Sequence, residues 1–169
     1  MKLLKGLYSA VDKLCYVLIA LGFGGIVVVL GLQMVLRIVG RPFMWAEEVA
    51  RYLFLWTLFI SGGKAFSRGG HLAVDFLFAK FPKKLQLALM FVFYVAVIGF
   101  SLYLLRSGVL FAKFQWKTPM YTLPWFRLGW VDLCIPFGCA LAIFYVLREL
   151  YYMLRRGTAY LDHKGGALG

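Results

Sequence analysis

The stretch GRPFMWAEEVARYLFLWTLF, Gly40 to Phe59, decides how many times this chain crosses a membrane. Its apolar residues begin a membrane helix, yet Glu47, Glu48 and Arg51 sit at its head. At 3.6 residues per turn, Trp45, Val49, Tyr52 and Trp56 fall on one stripe. Gly40 and Pro42 supply the break before it. The carboxylates occupy the first turn, where the backbone dipole favours negative charge. Glu47 precedes Arg51 by four residues, the better order for an ion pair, and Glu48 precedes it by three. Two readings stand side by side. In one, the acids cap an interfacial helix start and Arg51 neutralises one of them. In the other, charges so near hydrocarbon are costly toward lipid and face other protein instead. Trp45, Glu47, Glu48 and Arg51 are then a candidate subunit interface. Under both, the segment counts as a span over about 45–66.

The rest of the chain supports that count. Of 169 residues, 63% are hydrophobic and 15% charged, against roughly 25% charged in soluble domains. Mean hydropathy is +0.81, which places the chain in the membrane class. Leu14–Leu36 is uncharged and long enough for a bilayer core of about 20 residues. It is too long for a signal-peptide core and lacks an early small-x-small site, so it reads as a retained helix. Leu85–Leu105 is a further uncharged run, its helix continuing to about Phe114. The last run, Leu128–Leu147, has Asp132 one turn in and Pro136 able to kink it. The expectation is an all-α membrane protein with four transmembrane helices, at about 14–36, 45–66, 85–105 and 128–147. Residues 1–169 form a single integral membrane domain in this reading.

Formal net charge is +12. The basic residues cluster between apolar runs, so anionic head groups rather than nucleic acid are the expected counter-charge. One set of span ends carries twelve of the 19 Lys and Arg. By the positive-inside rule, that set, with both termini and the central loop, is cytoplasmic. The central loop GGHLAVDFLFAKFPKK, Gly69 to Lys84, mixes Leu72, Phe76, Phe78 and Phe81 with charges. It reads as a short amphipathic interfacial helix in the central cytoplasmic loop. His71 and Asp75, four apart, would share a face as a candidate ion pair. Lys80, Lys83 and Lys84 are candidate anionic-lipid contacts. A solvated loop with incidental charges is the simpler alternative. The other long loop, Lys117 to Trp130, has two prolines and two tryptophans suited to the head-group level, with a partner-docking surface as an additional reading.

No catalytic constellation is present. The only histidines, His71 and His163, lie outside the spans, so haem ligation within them is not expected. Cys15, Cys134 and Cys139 lie in apolar stretches without a CxxC pair, which points to buried thiols rather than a metal site or disulfides. Phosphate loops, HExxH and GxSxG are missing. Neither a cofactor nor an enzymatic activity is expected. An independent small oligomeric transporter or channel would need Lys64, Arg106 and Asp132 to line a pathway.

GRPFMWAEEVARYLFLW followed by SRGGHLAVDFL resembles the small membrane subunit (DctQ-type) of tripartite ATP-independent periplasmic (TRAP) transporters. Arg37, Trp45, Glu47, Glu48, Arg51, Arg68, His71, Val74 and Asp75 follow that family's order, as do Thr118–Pro119, Leu123–Pro124 and Ile135–Gly138. Gly70 departs from it where an acid is common, and Lys64 where a small or apolar residue is usual. The resemblance implies an accessory scaffold in the bacterial cytoplasmic (inner) membrane. Its implied partners are a large polytopic membrane subunit, a periplasmic substrate-binding protein that visits transiently, and the lipid bilayer. The implied process is sodium-driven uptake of organic acids such as C4-dicarboxylates or sialic acid.

Overall fold

The computed structural model describes residues 2–41, 43–68 and 82–156, the side chains of 2–5, 7, 68, 83, 84 and 156 aside. Its long elements are helices: α1 (Lys2–Ile38), α2 (Met44–Ala65), α3 (Lys83–Gln115), α4 (Leu128–Asp132) and α5 (Cys134–Arg156), with a 3-10 turn at Phe66–Arg68. Among the described residues three runs are long and apolar enough to cross a bilayer: Tyr8–Ile38, Leu85–Gln115 and, through α4 and α5, Leu128–Arg155. Helix α2 exists where the second of the four spans was expected. Its 22 residues reach about 33 Å, but Glu47, Glu48, Arg51 and Lys64 lower its hydropathy. The expected central interfacial helix lies outside the described residues.

Three helices outrun the expected spans, α5 by ending at Arg156 rather than Leu147. Lys5, Asp12 and Lys13 are good enough helix residues that α1 begins twelve positions before Leu14. Likewise α3 passes Arg106 and ends at Gln115, next to the anticipated Phe114. Hydropathy marks where hydrocarbon begins, whereas backbone hydrogen bonding sets where the helix stops. The last span is locally disturbed rather than ended. Pro136 has no N–H, and its ring crowds the carbonyl four residues back, that of Asp132. Leu133 between α4 and α5 keeps near-helical φ and ψ, its N–H bonds to the Gly129 carbonyl and its carbonyl accepts from Phe137, so Pro136 sits in the first turn of α5.

Helix α2 packs between α1 and α5, and α5 packs between α2 and α3. Contacts at both ends make α1 and α2 antiparallel: Tyr8 meets Ser67, and Gln33 meets Glu47. The turn between them uses Gly40 at φ 80°, a left-handed conformation that suits glycine. Helices α2 and α5 cross closely because glycines face each other. A Cβ on Gly63 would lie 2.6 Å from the Gly138 carbonyl oxygen, and one on Gly138 would lie 2.6 Å from that of Phe59. Helices without a hydrophobic drive to associate rely on such small residues. Between α3 and α5 an apolar cluster forms around Met90, Tyr94, Val146 and Met153. Cys15, Cys134 and Cys139 are buried free thiols, as their apolar surroundings implied.

Outer members α1 and α3 keep most of their apolar surface uncovered; only 6% of the α1 span is buried. Leu21, Val27, Val28 and Met34 on α1, and Val92, Phe100 and Tyr103 on α3, are exposed. A water-soluble domain rarely exposes apolar surface on this scale.

Candidate functional site

The charged head of α2 is one of two polar clusters, at opposite ends of the bundle. Helix α2 begins after Phe43, which offers no side-chain cap, and Glu47 lies in its first turn. Glu47 accepts a hydrogen bond from Gln33 Nε2 at 3.0 Å, joining the end of α1 to the start of α2. Glu48 turns to a distant segment. Its Oε1 accepts from the Tyr52 hydroxyl at 2.8 Å and from the Tyr121 N–H at 3.3 Å. Its Oε2 accepts from the Thr122 N–H at 2.9 Å and from the Thr122 hydroxyl. Among the described residues no ion pair joins Arg51 to either acid. The three- and four-residue spacings permit that pair, but neutral donors fixed by the fold take the carboxylates. Trp45 is partly buried and stacks on Phe43 with ring centroids 5.4 Å apart.

What Glu48 holds is a folded loop. Thr118 accepts from the Leu128 N–H at 3.0 Å, and Met120 donates to Phe126 at 2.9 Å, giving an antiparallel bridge between Pro119 and Arg127. The Arg127 guanidinium donates to the Lys117 carbonyl at 3.2 Å. Trp116 and Trp130 pack at 5.1 Å across its base. Tyr121 and Trp125 project from it, 92% and 77% exposed.

The second cluster was not foreseen as a site. Lys64, a departure from the family pattern and a residue that an independent pathway would need, is 8% exposed near the far end of α2. Its ammonium donates to the Asp12 carbonyl at 2.9 Å, pairs with Asp12 Oδ1 at 3.1 Å and lies 3.0 Å from the centre of the Tyr16 ring. Next to it the Tyr8 hydroxyl donates to the Ser67 carbonyl at 2.8 Å. The Tyr8 ring meets Tyr145 edge-on and is capped by the Arg148 guanidinium at 3.6 Å. Arg148 also pairs with Glu149 at 3.3 Å. The available signal was the position of Lys64 itself: a cation inside an apolar helix needs a counter-charge. Asp12 is the only acid before Glu47 in the sequence.

His71, Asp75 and Lys80 lie outside the described residues, and Lys83 and Lys84 contribute only backbone, at the start of α3. Among the described residues no group of His, Cys, Asp and Glu is placed to hold a metal ion. Lys64 belongs to the cluster at the far end of α2, Asp132 ends α4, and Arg106 is exposed on α3.

Long apolar helices with polar clusters confined to their ends define a multi-pass membrane protein. The family model described as tripartite ATP-independent periplasmic transporters, DctQ component, matches residues 26–156, and the chain belongs to that family. It is also similar to the sialic acid TRAP transporter small permease protein SiaQ of Vibrio cholerae serotype O1. Those two are 25% identical over 114 residues, 68% of this chain and 65% of that protein.

Proposed function

We propose that this chain is the scaffold subunit of a TRAP transporter that imports organic acids, with sialic acid and C4-dicarboxylates the first substrates to try. The family match across residues 26–156 carries this reading; the SiaQ likeness favours sialic acid. In this proposal α2 is the second of four crossings, with its glutamate end periplasmic and the Lys64 end, both termini included, cytoplasmic in a bacterial inner membrane. The exposed faces of α1 and α3 meet lipid, and a large membrane subunit carries substrate and sodium. A periplasmic binding protein delivers the substrate. Trp45, Glu47, Glu48 and Arg51 contribute to the periplasmic end of the subunit interface. His71 and Asp75 would pair in the central cytoplasmic loop, and Lys80, Lys83 and Lys84 would meet anionic head groups.

The test is reconstitution. Liposomes holding this chain and the large membrane subunit of its own system should take up substrate only with binding protein and a sodium gradient. Omitting this chain should abolish uptake. Flux through this chain alone would overturn the proposal and favour a small independent transporter.

A further inference from the structure

One face of α2 has no partner helix among the described residues. Met44, Arg51, Phe54, Leu58 and Gly62 lie on one stripe, spaced by three, four or seven residues, and all are exposed. That spacing is the narrow seam by which one helix receives another. The faces of α2 toward α1 and α5 are already used, by Thr57 against Gly22 and by Gly63 against Gly138.

Two further observations say what covers the seam. The first is charge. Arg51 stands two turns into the helix with no ion pair among the described residues, because Glu47 and Glu48 accept from Gln33 and from the Tyr121–Thr122 segment. A guanidinium at that depth calls for a carboxylate from outside the chain. The second is shape. Leu58 and Gly62 line a groove of about 580 Å³ that continues between α2, α3 and α5 over Phe59, Phe93, Val97 and Ala142. A Cβ added to Gly62 meets nothing within 4 Å, so this glycine leaves an open notch beside the groove. Small residues in membrane helices let a second backbone approach closely.

We propose that this seam seats a transmembrane helix of the large membrane subunit, one that carries an Asp or Glu opposite Arg51 and lays its backbone over Gly62. The inference rests on the scaffold reading above and adds the surface, its register and the charge of its partner. Glu47 and Glu48 keep their partners within the chain at the rim of that interface, and Arg51 acts between chains.

The neighbouring glycines make the test clean. The full-length chain is coexpressed with its large membrane subunit, and the complex is recovered from membranes through a tag on this chain. Gly62→Leu should leave the amount of this chain unchanged and lower recovery of the large subunit at least tenfold. Gly24→Leu, at an equally open position on α1, should change neither. Arg51→Leu should lower recovery at least tenfold, and Arg51→Lys should restore part of it. Wild-type recovery with Gly62→Leu overturns the seam, as does an equal loss with Gly24→Leu. Wild-type recovery with Arg51→Leu means that Arg51 reaches water or head groups instead, and overturns the partner carboxylate. A wild-type chain that recovers no large subunit overturns the scaffold reading itself, before any variant is compared.

Discussion

At Glu48 one carboxylate gathers four donors, from Tyr52 one turn along its own helix and from Tyr121 and Thr122 more than 70 residues away. Hydrogen bonds to a charged group contribute about 1.5–3 kcal/mol when desolvated. Glu48 is half-buried, so part of that is recovered by water when it is removed. Glu48→Ala should therefore cost about 1–3 kcal/mol in total. It should lower the thermal midpoint in detergent and speed amide exchange at Tyr121 and Thr122. Glu48→Gln keeps the shape and should fall between. Unchanged exchange in the alanine variant would mean that the loop is held by its own Thr118–Leu128 and Met120–Phe126 hydrogen bonds alone. The sequence exposed Glu48 as an oddity but not its partners. Spacing along one helix suggests Arg51, and nothing local points to Thr122.

Between elements, the pair Lys64–Asp12 fixes α1 against α2 at the end remote from Glu48. With side chains 9% and 28% exposed, it lies between a buried and a surface pair. Breaking a buried pair costs about 3–5 kcal/mol, and a surface pair is worth about 0–1 kcal/mol. Lys64→Met should fall between those bounds, since it leaves the Asp12 carboxylate facing the Tyr16 ring and apolar helix. Asp12→Asn in the same chain should recover much of the loss. A double variant no more stable than Lys64→Met would show that the carbonyl and ring contacts, not the charge pair, carry the joint. The helices themselves were legible in the sequence where they were apolar, as at Leu14–Leu36 and Leu85–Leu105. Their polar extensions were not, because α1 before Leu14 has no hydropathy signal. The disturbance at Leu133 was half-legible: Pro136 announced it, but a carbonyl four residues earlier fixed its place.

For the whole molecule, contacts tie the start of α1 to the end of α2 and to Arg148 on α5, while the start of α2 meets the α3–α4 loop. Sidedness then follows from any two exposed markers. In spheroplasts, Tyr121→Cys should react with an impermeant maleimide. Arg155→Cys, on the exposed last turn of α5, should react only after permeabilisation. The three native cysteines are buried and should stay silent in the folded chain. Labelling of both positions from one side would remove the last span, Leu128–Arg155, as a crossing. In the sequence, sidedness rests only on a count of basic residues, which an uncounted span would reverse; three-dimensional adjacency of Tyr8, Ser67 and Arg148 does not depend on that count.

The joints at the two ends of α1 have a consequence for the surrounding lipid. Uncharged Leu14–Leu36 is about 35 Å long, a few ångströms more than a typical hydrocarbon core of about 30 Å. A lone helix relieves such mismatch by leaning over. Here Gln33–Glu47 at one end and Asp12–Lys64 at the other fix α1 to α2, so it cannot lean by itself. The bundle leans as one body or the bilayer thickens around it, and acyl-chain length becomes a variable that acts on every helix at once.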